Sequence, residues 1–446
     1  MTKSLLIFLL FLFLNFASFA QIQQYDITKY VSPIQKYHTL GTQLNLNGRK
    51  RDNPFAGNDT HLFSSLNANY TQYKRTPKHQ SSIDSRFNLQ YAIKKEKATP
   101  SNPLNQHTNT YLSKGAMLNT NNQFFIRSKR FIELDLFADL HFASYKDQSP
   151  KKTPDILSHN DINISFHLPI LFGFGRINNI TENWRAARML TEFQKTNSLT
   201  HEPKEQEIND LSEVFTQRRY TRLFDYREKN KADLKKIHQN LIENNLISQA
   251  DIDYFSTLAD MWYYGANAVR LSGFSMAIGI EPQFNKKQHK DLAPNKTAKE
   301  TSFLSGYLTL KTIYEKPINS KFQFSLNSNI KFGQIYYRAP YQSLFRKLGN
   351  HIDPYLKLAL GYYPTTRTYL STSISSHAST DRRSVYAEWQ TSLYYYLSPQ
   401  TRLTATTYFR KTREAPFNAI SQSLNNHQAL ENYQTSLTIK ILHNFL

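Results

Sequence analysis

Along most of this chain, apolar residues recur at every second position. The clearest stretch is 161–174, where Ile162, Ile164, Phe166, Leu168, Ile170, Phe172 and Phe174 alternate with Asp161, Asn163, Ser165, His167, Pro169, Leu171 and Gly173. A period of two sends one set to one face of a strand and the second set to the other. The same pattern predicts strands near 38–47, 62–70, 83–94, 107–128 and 132–142 before it. After it come 271–284, 304–314, 322–332, 352–362, 367–378, 383–397, 401–412 and 430–446, fourteen strands in total, with twelve to sixteen inside the boundary uncertainty. Short connections at 316–320, 363–367 and 398–400 carry Pro and small polar residues, as turns do. Longer polar segments at 48–58, 96–106, 147–158, 286–300, 339–351 and 414–428 take turns with them.

One region breaks the period. Between Arg176 and Gly265 the apolar residues recur at helical spacing. Thr181 opens a helix through Phe193, with Trp184, Ala187, Leu190 and Phe193 on one side; Thr200 precedes a second, with Ile208, Leu211, Phe215 and Leu223. A third carries Leu234, Ile237, Leu241 and Ile242, and Ser248 with Asp251 starts a fourth that holds Ile252, Phe255, Leu258 and Trp262. The chain therefore reads as an all-β transmembrane antiparallel β-barrel with a small all-α insertion after the sixth strand. Its apolar side chains face lipid and its polar ones line a lumen.

Residues 1–20 fall outside that pattern. Lys3, the apolar run Leu5 to Leu14 and the small-x-small triplet Ser18-Phe19-Ala20 make a secretory signal peptide, and the run is too short to span a bilayer. The expected division is signal peptide 1–20, periplasmic lead-in 21–36, strands one to six in 37–175, helical periplasmic insertion 176–265, and strands seven to fourteen in 266–446. The expected location is the bacterial outer membrane.

Composition agrees with singly spread grease: mean hydropathy is −0.58, yet there are 28 Tyr and 30 Phe. The absence of Cys excludes disulfide frameworks, thiolate metal sites and cysteine nucleophiles. Formal net charge is +21, and the insertion, 176–264, holds 13 basic and 14 acidic residues, leaving 42 and 20 to the rest. Basic runs at 48–53, 94–97 and 151–152 make lipopolysaccharide phosphates or anionic solutes expected partners. Solvated loop charge is the plainer account of the same residues. The scatter of this charge and the export signal argue against nucleic acid.

Strand parity places Arg86, Glu133, Asp135, Asp139, His141, His167, Lys331, Glu388, Arg402 and Arg410 on the lumen side. Acids there are expected to pair across the interior with Arg86, Arg402 and Arg410. His377 and Ser379 have the His-x-Ser spacing that resembles outer-membrane phospholipases, but they share the inward parity of Tyr369, Ser371 and Ser373, away from any lipid ester. Asp135, Asp139 and His141 share a face as protease acids would, but the two acids sit in mid-strand. No Gly-rich phosphate loop, H-E-x-x-H or clustered His set is present, so no enzyme activity, cofactor or metal is expected. In the insertion, Arg218, Arg219, Arg222 and Arg227, with Trp184 and Trp262, are candidates for a partner-binding face. Pairing of those arginines with Asp225, Glu228 and Asp210 is the alternative.

The closing strand alternates Tyr433, Leu437, Ile439, Ile441 and Phe445 with Gln434, Ser436, Thr438 and Lys440, and resembles the terminal strand of bacterial outer-membrane barrels. In that family the last residue is typically aromatic and is read by the barrel-insertion machinery; here Phe445 is penultimate and Leu446 is last. Two further runs, GFGRI with NITENWRAARML (173–190) and RRYTRLFDYREK (218–229), resemble segments that mark uncharacterised outer-membrane barrels of Bacteroidota. In those proteins a G-x-G-R-I strand end leads into a helical domain. The resemblance covers strand six, the insertion and loosely the barrel, and implies no activity. Two functions remain: passage of small anionic or neutral solutes with the insertion as gate, plug or docking element, or a scaffold whose helices bind a periplasmic or envelope-assembly partner.

Overall fold

The computed structural model describes residues 25–32, 34–53, 57–96, 107–148, 156–217, 226–264, 269–291, 298–380, 384–398, 401–414 and 430–443. Strands β1 (Gln35–Asn53), β2 (Gly57–Arg75), β3 (His79–Glu96), β4 (His107–Phe125), β5 (Arg130–Leu134), β6 (Leu136–Gln148), β7 (Ile156–His167) and β8 (Ile170–Asn179) precede the helices. Then follow β9 (Leu271–Asp291), β10 (Lys299–Pro317), β11 (Phe322–Arg338), β12 (Arg346–Tyr362), β13 (Thr368–Ser379), β14 (Ser384–Tyr396), β15 (Thr401–Glu414) and β16 (Leu430–His443). All pair antiparallel in one sheet in chain order.

The sixteen segments make fourteen staves. β5 and β6 share β4 in one unbroken register, separated only at Asp135. β7 and β8 share β9 likewise, separated at Leu168 and Pro169, where proline lacks the N–H a ladder needs. The Pro169 carbonyl accepts from the Asp135 N–H at 3.1 Å, so the two interruptions face each other.

Alternation sorts the two faces. Across β9, β10, β11 and β12, register aligns Ile280, Leu308, Phe332 and Ile352 in one row, and these are 58%, 51%, 53% and 43% exposed. In the next row Thr309 stands opposite Lys331, and Lys331 opposite Asp353, on the other face. An apolar exposed face over a polar inner one is the mark of a membrane barrel. The β10–β11 and β12–β13 turns and the end of β14 all reach the helical insertion, so the sheet curls around it. Among the described residues β1 pairs only with β2, and β16 only with β15.

Strands outlast the lengths that alternation predicts. The hairpin of β1 and β2 is paired from Gln35 opposite Arg75 to Asn53 opposite Gly57, so the polar segment 48–58, expected as a loop, is mostly strand. Likewise β9 reaches Asp291, and β12 starts at Arg346. Nineteen residues rise about 60 Å, whereas a spanning strand needs only about 9–11 residues. The excess lies on the side of the long connections.

The insertion holds α1 (Thr181–Lys195), α2 (Glu205–Gln217), α3 (Tyr226–Glu243) and α4 (Ile252–Tyr264). Their shared core includes Met189, Leu190, Phe193, Leu211, Phe215, Ile237, Leu241, Tyr254, Leu258, Met261 and Trp262. A fully buried side chain of this kind contributes about 1.5–3 kcal/mol. The starts differ from the expected caps. Asn179 Oδ1 accepts from the Thr181 N–H at 3.0 Å, and Asp251, not Ser248, caps α4 by accepting from the Tyr254 N–H at 2.9 Å. Thr200 lies before α2 and donates to the Asn245 carbonyl at 2.5 Å, while Glu207 accepts from the Lys204 N–H at 2.7 Å. Ile242, Ile252 and Phe255, expected in the apolar seam, are exposed; on α4 the seam holds Tyr254, Leu258 and Met261 instead of Ile252 and Phe255. Leu223 lies outside the described residues.

The GFGR run has a local reason. The Phe131 ring lies against Gly173, where an added Cβ would sit 2.2 Å from it, and Gly175 has φ +101°. Arg176 then stacks over Phe125 at 4.2 Å and donates to the Pro77 carbonyl at 3.1 Å, tying β8 to the β2–β3 turn. β8 runs on to Asn179, so the helical part begins at Ile180 rather than Arg176.

Candidate functional site

Among the described residues, carboxylates of the inner wall gather partners from neighbouring staves. Glu133, 1% exposed, accepts from Lys311 Nζ at 2.6 Å and Gln123 Nε2 at 2.7 Å. Asp135 accepts from Asn121 Nδ2 at 3.0 Å and the Asn122 N–H at 3.2 Å, with Lys311 Nζ at 3.7 Å. Glu281 takes Lys331 Nζ at 2.7 Å and the Thr309 hydroxyl at 2.9 Å, with His167 Nδ1 at 3.9 Å. Asp353 sits 2.5 Å from His377 Nε2 and 3.8 Å from His351 Nε2.

The expected arginine partners are elsewhere. Arg86 binds Asp84 of its own strand at 2.8 Å, Arg410 lies 4.2 Å above the Tyr386 ring, and Arg402 lies over Tyr394 and Tyr396. Lys311 on β10 and Lys331 on β11 take Glu133 and Glu281 instead. Glu388 stands opposite Arg410 in register. Lys311, Glu281 and Asp353 were not among the expected lumenal residues. Lys311 shares the parity of Tyr307 and Thr309, and that signal was available.

Arg86, Asp139 and His141 do come together. With Asn88, Gln90, Tyr111, Ser113, Gly115 and Met117 they line a recess of about 320 Å³ on β3, β4 and β6. Ser113 Oγ and His141 Nε2 are 2.9 Å apart, but Ser113 is only 3% exposed, so the pair is a cross-strand tie and not a nucleophile with its base. His377 is held by Asp353 and Ser379 is buried in the same wall.

The helical insertion is bolted to the rim of short turns. Arg270, fully buried, donates to the carbonyls of Ser320 at 3.0 Å, Asn319 at 2.7 Å and Phe322 at 3.0 Å, and lies 4.5 Å over the Tyr363 ring. Burial pulls its pKa down to about 10. Arg188, also lowered by burial, donates to the carbonyls of Tyr363 at 3.0 Å and Pro364 at 2.7 Å. Asp260 pairs with Arg367 beyond them. From α1 a ring series enters the barrel: Trp184 meets Tyr363 at 5.7 Å, Tyr363 stacks on Tyr369 at 4.7 Å, and Tyr369 on Tyr394 at 5.5 Å. The lead-in joins this contact, with Asn183 Nδ2 donating to the Ile27 carbonyl at 2.7 Å.

This packing corrects the expected partner-binding face. Trp184 and Trp262 are 2% and 5% exposed, their rings spent on the rim and the helical core. Arg218, Arg219 and Arg222 lie outside the described residues, as does the side chain of Arg227. Among the described residues no group of three His, Asp or Glu is arranged to hold a metal.

No family model matches the chain, and no curated protein matches it. Among solved structures it is similar to the translocator domain of autotransporter NalP from Neisseria meningitidis, at 6% identity over 80% of this chain and 86% of that one, TM-score 0.30. The alcaligin outer membrane receptor FauA from Bordetella pertussis aligns at 7% identity over 94% and 60%, TM-score 0.32. OccK11 from Pseudomonas aeruginosa aligns at 8% over 93% and 98%, TM-score 0.22. Likeness at these scores carries no argument, and the fold rests on this chain's own register and burial.

Proposed function

We propose that this protein is a bacterial outer-membrane barrel that passes small solutes through its lumen, with the helical insertion fixed as a plug over the short-turn mouth. The observation that carries this reading is the pairing of an apolar outer face with a polar inner wall, one end of which is covered by helices. Fourteen staves approach the size at which barrels hold an aqueous lumen. The export signal puts the helices in the periplasm on this reading. Lipopolysaccharide phosphates then meet the basic residues of the opposite side, and the barrel-insertion machinery reads the closing strand.

Conductance across a planar bilayer tests the proposal. Arg188→Ala combined with Arg367→Ala removes two ties between helices and rim, and is expected to raise ion flow over the parent. Absence of flow in both proteins removes the passage reading. A scaffold is the second reading, favoured by Ile252, 84% exposed, with the exposed Phe255 one turn on along α4. Ile252→Glu with Phe255→Ser should then abolish cross-links to periplasmic protein and leave conductance unchanged.

A further inference from the structure

The recess on β3, β4 and β6 holds a carboxylate, an amide and a phenol side by side on the described inner wall. Glu133, Glu281 and Asp353 are tied to lysine or histidine. Here Arg86 is engaged by Asp84 at 2.8 Å, Asn88 Nδ2 by Asn67 Oδ1 at 2.5 Å, and His141 by Ser113 at 2.9 Å. Asp139, Gln90 and Tyr111 also line it, and among the described residues these three have no polar partner. Gly115 keeps the floor low between them, with His141 as the nearest atom to an added Cβ at 3.7 Å.

We propose that this recess is a weak binding site for a neutral polyhydroxylated solute, a mono- or disaccharide. Its volume, about 320 Å³, falls in the range that holds small ligands, about 300–1,000 Å³. A free carboxylate accepts two hydroxyl hydrogens from a vicinal diol, a free amide both donates and accepts, and a tyrosine ring with Met117 offers an apolar surface to the C–H face of a sugar ring. An anion is repelled by Asp139. A cation meets Arg86 at the same wall, and a zwitterion finds Arg86 already occupied. The recess is open to the lumen, which suits a solute that must leave again; a tight site would stop traffic.

The inference rests on the passage reading for the route by which solute arrives, and the test separates the two. Maltose is titrated into the full-length protein in detergent and followed by saturation-transfer NMR, with spermidine and citrate as charged competitors; conductance is recorded in parallel. Maltose binding in the millimolar range is expected. Asp139→Asn and Tyr111→Leu should each weaken it about tenfold or more, since each removes a hydrogen bond or a ring face. Gln43→Ala on β1 should not change it, and circular dichroism verifies that each variant is folded. No maltose binding, equal binding by Asp139→Asn and Tyr111→Leu, or tighter binding of spermidine or citrate overturns the proposal. Maltose binding without ion flow keeps the recess and removes the passage; ion flow that maltose neither joins nor interrupts does the reverse.

Discussion

The inner wall from β5 to β12 and the edge strands β1 and β16 follow the same two-residue alternation, yet they end in different states. In the wall, Glu133, Thr309 and Glu281 are buried among partners from neighbouring staves. On β16, polar Gln434, Ser436 and Thr438 are exposed, and so are apolar Leu437, Ile439 and Ile441. Local pattern decides which face a side chain takes. Whether that face is filled depends on residues far away in sequence: Lys311 is 178 positions from Glu133.

The largest break in this comparison is expected at Lys311. Replacing it by Met leaves Glu133 and Asp135 without their cation, and removing one member of a buried pair costs about 3–5 kcal/mol. Urea unfolding of the barrel in lipid vesicles measures it. Adding Glu133→Gln should recover most of the loss, because the remaining charge is what hurts. Gln43→Ala on β1, where the side chain is exposed, should change stability by less than about 0.5 kcal/mol. Equal losses at Lys311 and Gln43 would show that the two regions are packed alike.

Arg270→Ala comes next. It strips three turn carbonyls of a donor and removes a guanidinium from the rings of Trp184 and Tyr363. A loss of about 2–4 kcal/mol is expected, concentrated where helices meet rim. Proteolysis of the 180–270 segment should accelerate while the barrel stays resistant. Arg270→Lys should rescue only part, because an ammonium cannot reach all three carbonyls in one plane or stack as a guanidinium does. If barrel and helices unfold together in Arg270→Ala, the joint is not a separable region.

Much of this was legible in the chain. Alternation located the fourteen staves, including the two split by Asp135 and Pro169, because a lipid-facing strand must show one apolar face. It failed at residues 48–58, where a polar run without apolar alternation is nonetheless paired as strand. Helical spacing found the four helices, but chose Ile252 and Phe255 over Tyr254 and Met261, since the face one residue over carries as many apolar side chains. Trp184 read as a binding residue because sequence cannot reveal that the Ser320 carbonyl waits 136 positions later to accept from its ring at 2.7 Å. The same distance problem hid Lys311 as the partner of Glu133, while simple parity would have placed it in the lumen.

The smallest effect sharpens the comparison from inside the helical domain, where a charge is held by its own neighbours instead of by another stave. Burial alone would raise the Glu207 carboxyl, but the Lys204 N–H at 2.7 Å and His201 Nε2 at 3.0 Å hold it below its ordinary 4.5. A depressed acid stabilises the fold above its unfolded pKa and loses that contribution as pH falls through the folded value. Helicity of α2 should therefore weaken only below about pH 4.5, with Glu207→Gln lacking that step and costing about 0.5–1 kcal/mol at neutral pH as a first-turn anion is lost. Circular dichroism between pH 6 and pH 3 reads the difference. Because these partners lie within six residues of Glu207, this contribution should survive Arg270→Ala, whereas one supplied by the rim should vanish with it.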